Sequence, residues 1–193
     1  LHEVTPRVAQ LGFPVVVKPD AQGSSLGVLR VDHVEQLAGA IRHAGEYDPF
    51  ILVEPFLAAR ELTVSVWEGE ALPMIEIRTP HRWFDYSAKY ADPNTQYHLA
   101  PGMQEFVRKQ RQGAFARVGR MRLAHRLLLD AKLQPWVLEV NTVPGMTSHS
   151  LAPMAAAYHG VSMPEFCDRM VRQAMARAGR TAAGSKPTAQ PLT

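Results

Sequence analysis

A mixed α/β protein, of the α+β kind, is what this sequence predicts, on three observations. Short β-branched runs bounded by Pro and Gly recur along the chain, and apolar residues fall at helical spacing in three separate stretches. A composition of 46% hydrophobic and 20% charged residues suits a soluble globular protein. At 193 residues the chain can bury one sizeable core or two small ones.

Taken in order, Gly12-Phe13-Pro14-Val15-Val16-Val17-Lys18-Pro19 reads as a strand, reached so soon after a first residue that is Leu1 that the start resembles the middle of something longer. A second apolar stretch, Gly27 to Val31, follows a Gly/Ser-rich turn and completes a hairpin. His33 to Ala44 places Val34, Leu37, Ala40 and Ile41 at helical spacing. Strands then recur at Phe50 to Glu54, Glu61 to Trp67 and Ala71 to Ile77. From Thr79 to Pro101 the chain is polar, aromatic and without a clean period, long for an inert connection and suited to a working loop. Trp136 to Val140 reads as a buried strand, and helices are expected at Ser150 to Tyr158 and Pro164 to Ala178. A Ser/Pro/Thr/Ala tail from Thr181 is expected to be disordered.

Several function classes are excluded by composition. No apolar run reaches bilayer length and no basic-then-apolar leader opens the chain, so no membrane role is expected and the address is cytoplasmic. The formal charge of +3 comes with arginines scattered over the last third instead of a patch interleaved with aromatics, so no nucleic-acid partner is expected. The single Cys167 falls in a helical pattern and reads as a packed thiol, not a nucleophile.

Two stretches carry chemistry. Lys18 ends a strand and is followed by Gln22-Gly23-Ser24-Ser25-Leu26-Gly27, which sets an ammonium group and a flexible loop facing one space, a phosphate cradle in outline or simply a hairpin tip. In Val137-Leu138-Glu139-Val140-Asn141, Glu139 and Asn141 are two apart, so both oxygen-bearing side chains share one face of a strand and can serve a hard divalent cation. Pro144-Gly145 then ends the strand, and Ser150-Leu151 opens a helix whose first N–H groups face outward as an anion site.

These stretches, with Leu52-Val-Glu-Pro-Phe-Leu57, Arg60-Glu-Leu-Thr-Val64, Asp85-Tyr-Ser-Ala-Lys-Tyr90, Thr95-Gln-Tyr97 and Glu139-Val-Asn-Thr-Val-Pro-Gly-Met-Thr-Ser-His-Ser150, resemble the D-alanine-D-alanine ligases in order and spacing. The resemblance runs from about Leu11 to Ala178. It implies an ATP-grasp fold, with two sub-domains whose antiparallel sheets clasp ATP, divided here at 1–58 and 59–180. It also implies residue roles. Lys18 would contact phosphate, and Gly23, Ser24 and Ser25 would close over the phosphates. Glu54 with Pro55, Phe56 and Leu57 would hold adenine, and Glu61 the ribose hydroxyls. Glu139 and Asn141 would bind Mg2+ (or Mn2+), while Gly145, Ser150 and Leu151 would lie on the D-alanine side. Lys89 and Tyr90 would sit on a mobile loop, Tyr90 pairing with Ser24, and a Tyr there is the residue of dipeptide-forming enzymes. Substrates would be ATP and D-alanine, the product a D-alanyl-D-alanine dipeptide for peptidoglycan, and the complete enzyme a homodimer.

The sequence departs from that pattern in three ways. An amino-terminal domain, and an early part of the central one, have no counterpart. The stretch from Met103 to Leu127 is shorter and unlike the family. Thirteen residues before Glu139, where the family carries a metal-binding Asp, stands Arg126, which would repel a divalent ion. With codons chosen from those permitted, a one-base shift over 120–127, restored near Leu128, would spell Gly-Cys-Gly-Trp-Arg-Ile-Asp-Phe and return the Asp, so a lesion in the gene is the expected origin of Arg126. The alternative is a catalytically inactive nucleotide-binding remnant in which the arginine is genuine. A third reading, another ATP-grasp carboxylate-amine ligase, is opposed by Ala88-Lys89-Tyr90 and by Met146 to Ser150.

Overall fold

A computed structural model describes residues 3–80, 84, 86–100, 123–147 and 149–184. The element order is α1 (Val4–Leu11), β1 (Val15–Pro19), β2 (Leu29–Val31), α2 (Val34–Gly45), β3 (Ile51–Pro55), β4 (Arg60–Trp67), β5 (Glu70–Ala71), β6 (Ile75–Arg78), α3 (Tyr86–Tyr90), β7 (Gln96–Leu99), β8 (Leu123–Leu129), β9 (Pro135–Asn141), α4 (Leu151–Tyr158) and α5 (Met163–Gly184). No helix among the described residues is long and apolar enough to cross a membrane.

Two antiparallel sheets divide the strands. The first has order β2-β1-β3, with Val16 opposite Arg30 and Glu54, and Lys18 opposite Leu52. Alternation sends Val15 and Val17 to one face, where they meet Val8, Val31, Leu37, Ala40 and Ala44 in a core under α1 and α2. Val16 and Lys18 are left on the other face. The start of α2 is fixed by Gln36, whose side-chain oxygen accepts the N–H of His33 at 3.2 Å.

The second sheet has order β7-β6-β4-β8-β9, with β5 folded back on β4 through a two-residue turn, Glu68-Gly69, in which both residues have positive φ. Leu62 and Val64 of β4 bury one face with Met74, Leu127 and Leu129. Trp67 buries the other against α4 and α5, its ring 5.0 Å from that of Phe166 and at 64° to it. Such an edge-on pair adds about 0.5–1.5 kcal/mol to the area buried.

Several expectations needed correction. The single strand expected over Ala71 to Ile77 is two strands, because Pro73 lacks the N–H that a continuous ladder would use. The stretch read as a working loop from Thr79 contains α3 and β7, the latter paired along its length with β6. The strand at Trp136 to Val140 is not buried. As β9 it forms the edge of its sheet, and Trp136 and Val137 are each 48% exposed. Helix α5 runs past the expected start of disorder, to Gly184, and 185–193 lie outside the described residues. Cys167 is half-buried on α5.

Candidate functional site

A cleft of about 860 Å3 opens between the two sheets. That is the size of cavity in which small molecules and cofactors are held. From the first sheet it is lined by Val16, Lys18, Glu54 and Pro55, from the hairpin tip by Ser24 and Ser25, and from the linking segment by Phe56 and Leu57. The second sheet contributes Glu61, Arg126 and Glu139, and the segment above them Phe84 and Lys89. Lys18 and Glu139, joined only by inference in the sequence, therefore border one cavity.

The hairpin tip is held in an uncommon backbone. Ser24 and Ser25 both have positive φ, 58° and 59°, a region in which side chains crowd the backbone. Gly27 follows at φ 70°, and a Cβ there would lie 2.6 Å from the Tyr47 ring and 2.8 Å from Cγ of Pro19. No other residue suits this position. The base of the loop is tied by Asp48, whose carboxylate accepts the N–H groups of Ala21 and Phe50 at 2.8 Å each, and by Gln22, which donates to the Tyr47 carbonyl at 3.1 Å.

Across the cleft the loop is met by α3. Lys89 Nζ donates to Ser25 Oγ at 2.7 Å, and Ser25 in turn donates to the Phe84 carbonyl at 3.4 Å. Lys89 also lies 5.4 Å from the Phe84 ring centre. The expected closure between Tyr90 and Ser24 lies outside the described residues, since the side chain of Tyr90 is not among them. Among the described side chains, Lys89 joins α3 to Ser25.

The cleft's acids are matched by its cations. Lys18 Nζ is 2.8 Å from Glu54 Oε2, a diagonal pair on the open face of the first sheet. Arg60 holds Glu76 with two hydrogen bonds, 2.8 and 3.0 Å, and Arg78 adds a third at 3.0 Å. The Arg60 guanidinium, with Arg78, holds the Glu76 carboxyl down at about 2, below the ordinary 4.5, against the opposing effect of burial. On the floor, Arg126 stands directly opposite Glu139 in the β8–β9 register and diagonal to Glu61 on β4. Its Nη2 meets Glu61, and its Nη1 donates to Glu139 at 3.1 Å. A bulge at Leu138 keeps Glu139 and Asn141 on Arg126's face, the shared face that the spacing predicts.

Those two residues do not fit a divalent cation as they stand. Glu139 is taken by the guanidinium, and the Asn141 side-chain oxygen accepts the N–H of Val143 at 3.1 Å. Among the described residues no group of three or more His, Cys, Asp or Glu converges on one point. A dication about 5 Å from a guanidinium is repelled by roughly 6–7 kcal/mol at an effective dielectric of about 20.

The remaining predicted residues lie elsewhere. Gly23, Asn141, Gly145, Ser150 and Leu151 are not on the cleft wall. Ser150 Oγ is used locally, accepting the Thr147 N–H at 3.0 Å, and a Cβ on Gly145 would sit 2.8 Å from that oxygen. Leu151 packs beneath Phe84, Ile77 and Ala88, so the start of α4 supports the segment that carries Lys89. The Arg60-Glu76-Arg78 group has no signal in the sequence beyond the charges themselves. The pairing crosses strands and depends on a register that the sequence does not spell out.

Comparison with known proteins places this geometry. The sequence matches the family described as D-ala D-ala ligase C-terminus over residues 2–172. A D-alanine--D-alanine ligase of Hydrogenovibrio crunogenus is 45% identical over 151 residues, 76% of this chain and 48% of that protein. One of Ectopseudomonas mendocina is 44% identical over 162 residues, 81% of this chain and 52% of that protein. The chain thus spans about half the length of the curated relatives it matches. A crystal structure of D-alanine--D-alanine ligase from Bacillus anthracis superposes with TM-score 0.76 at 30% identity, covering 91% of this chain and 59% of that one. A second, of the enzyme complexed with ATP, superposes with TM-score 0.71 at 25% identity, covering 90% and 55%.

Proposed function

Because this chain belongs to the D-alanine-D-alanine ligase family and shares the ATP-grasp fold of its structural relatives, we propose that its cleft is a nucleotide site, the ATP-holding part of a ligase that joins two D-alanines. The observation that carries this reading is the single cavity bordered by Lys18, Ser24, Ser25, Glu54, Phe56, Leu57, Glu61 and Lys89. The structural relative that holds ATP supports it. The division into a sub-domain over 1–58 and another over 59–180 belongs to the same reading, each supplying one sheet to the cleft.

In the complete enzyme the carboxylate of one D-alanine would attack the terminal phosphorus of ATP and release ADP. The amine of a second would then displace phosphate from the acyl phosphate to give the dipeptide, for peptidoglycan built from cytoplasmic precursors. The chain's own residues position the nucleotide and neutralise it. Lys18 and Lys89 both line the cleft, and each charge-assisted contact with phosphate contributes about 1.5–3 kcal/mol. Ser24 and Ser25 at the hairpin tip lie over the phosphates. Phe56 N–H is already donated to the Pro14 carbonyl, so the adenine edge falls to Glu54 and the Leu57 backbone. The Phe56 ring is backed by Arg30, 4.2 Å away. Glu61 is the ribose ligand. Gly145, Ser150 and Leu151 serve the D-alanine side through the start of α4, and Tyr90 completes the loop. Pairing of complete chains into a homodimer is part of the proposal.

A second reading is favoured by one observation, the guanidinium of Arg126 against Glu139: a site that holds nucleotide without turnover. Both readings require nucleotide binding, so titration of the chain with a fluorescent ATP analogue tests the foundation they share. Saturable binding displaced by ATP is expected, weakened about tenfold or more in Lys18→Met. Absence of binding by the folded chain, or an unchanged affinity in Lys18→Met, would refute the assignment.

A further inference from the structure

Arg126 has no task in the nucleotide reading, yet its position is fixed on every side. The register sets it opposite Glu139 and diagonal to Glu61, all on one face of the sheet. Its side chain is 15% exposed, against 52% for Glu139, and its guanidinium centre lies 5.3 Å from the Phe84 ring centre. Its Nε is buried with no hydrogen-bond partner among the described residues.

An arginine keeps its proton even in such a place, so the floor of the cleft carries a permanent positive charge between two carboxylates. A divalent ion bound by Glu139 would sit about 2.0–2.1 Å from one oxygen of a carboxylate whose Oε1 accepts from Arg126, which brings it within a few ångströms of the guanidinium. The two cations exclude each other there. The guanidinium, however, spends only two N–H groups on the carboxylates, one to Glu61 and one to Glu139. Two of its four terminal N–H groups remain for oxygen acceptors, on a guanidinium that lines the cleft while its Nε stays buried.

Resting on the reading of this cleft as a nucleotide site, we infer that Arg126 is a built-in cation standing in place of a divalent metal. The site takes a nucleoside triphosphate as the free anion, without magnesium. Glu61 and Glu139 hold the guanidinium at the floor, and the phosphates meet it as they would meet a bound ion.

The experiment titrates the full chain with ATP in excess EDTA and in excess magnesium, and separately with Mn2+ alone, followed by electron paramagnetic resonance. ATP is expected to bind in EDTA at least as tightly as with magnesium, and Mn2+ alone is expected not to bind. Arg126→Asp should reverse the preference, with ATP held at least about tenfold more tightly with magnesium than with EDTA. If that variant does not fold, Arg126→Gln, with folding checked by circular dichroism, should bind ATP about tenfold more weakly in EDTA. ATP binding that requires magnesium, Mn2+ binding to the unaltered chain, or unchanged affinity in folded Arg126→Gln would overturn the inference and leave the nucleotide reading standing. Failure of ATP to bind under either condition would remove that reading and the inference with it.

Discussion

Replacing Glu76 by Gln removes a charge that two arginines surround, while keeping the shape of the side chain. Glu76 is 8% exposed and accepts three hydrogen bonds, two from Arg60 and one from Arg78. Its carboxyl is held at about 2 against an ordinary 4.5, chiefly by the Arg60 hydrogen bond. A difference of about 2.5 units at 1.36 kcal/mol each gives roughly 3.4 kcal/mol as an upper bound. Arg60 is 46% exposed and Arg78 60%, so solvent screens the pairing, and about 1–2 kcal/mol is the expected share. Because the folded-state value is depressed, this stabilisation is fully present above the unfolded-state value near 4.5 and is lost as the pH falls from there through about 2. Urea unfolding followed by tryptophan fluorescence should find Glu76→Gln less stable than the parent by about 1–2 kcal/mol at pH 7, with the gap nearly closed at about pH 2. A gap of the same size at both pH values would show that the carboxylate's charge is not what stabilises the cluster.

Two further outcomes are expected. Gly27→Ala should destabilise the chain by about 1–3 kcal/mol, since the new methyl meets both the Tyr47 ring and the rigid Pro19 ring at a residue with φ 70°; an unchanged urea midpoint would contradict the loop geometry. The 193-residue chain, purified and supplied with ATP and magnesium, should release no phosphate in response to D-alanine, because the guanidinium of Arg126 holds Glu139 and stands where a metal carboxylate is expected. D-alanine-dependent phosphate release would sink that expectation.

Local pattern was enough for much of this protein. The β-branched run Val15-Val16-Val17 between prolines announces a strand, and the helical spacing of Leu37, Ala40 and Ile41 announces α2. The two-residue spacing of Glu139 and Asn141 puts them on one face, in the regular register that follows the bulge at Leu138. Short elements with few buried residues were not legible. Helix α1 buries only Val8, and β7 is a half-exposed strand recognisable only beside β6. The exposure of β9 follows from its place at the sheet edge, which no property of its own apolar residues reveals.

What the sequence alone determined, then, is which residues carry charge and oxygen, and which strand or loop presents them. Tertiary structure decided which of them meet. Lys89 reaches Ser25 across 64 residues and Arg126 reaches Glu61 across 65, pairings set by sheet register and by the approach of α3 to the hairpin tip. From sequence, Arg126 is a cation where a carboxylate is expected. In the fold it is a buried charge held by two carboxylates, because register brings Glu61 and Glu139 to the same face at the same level.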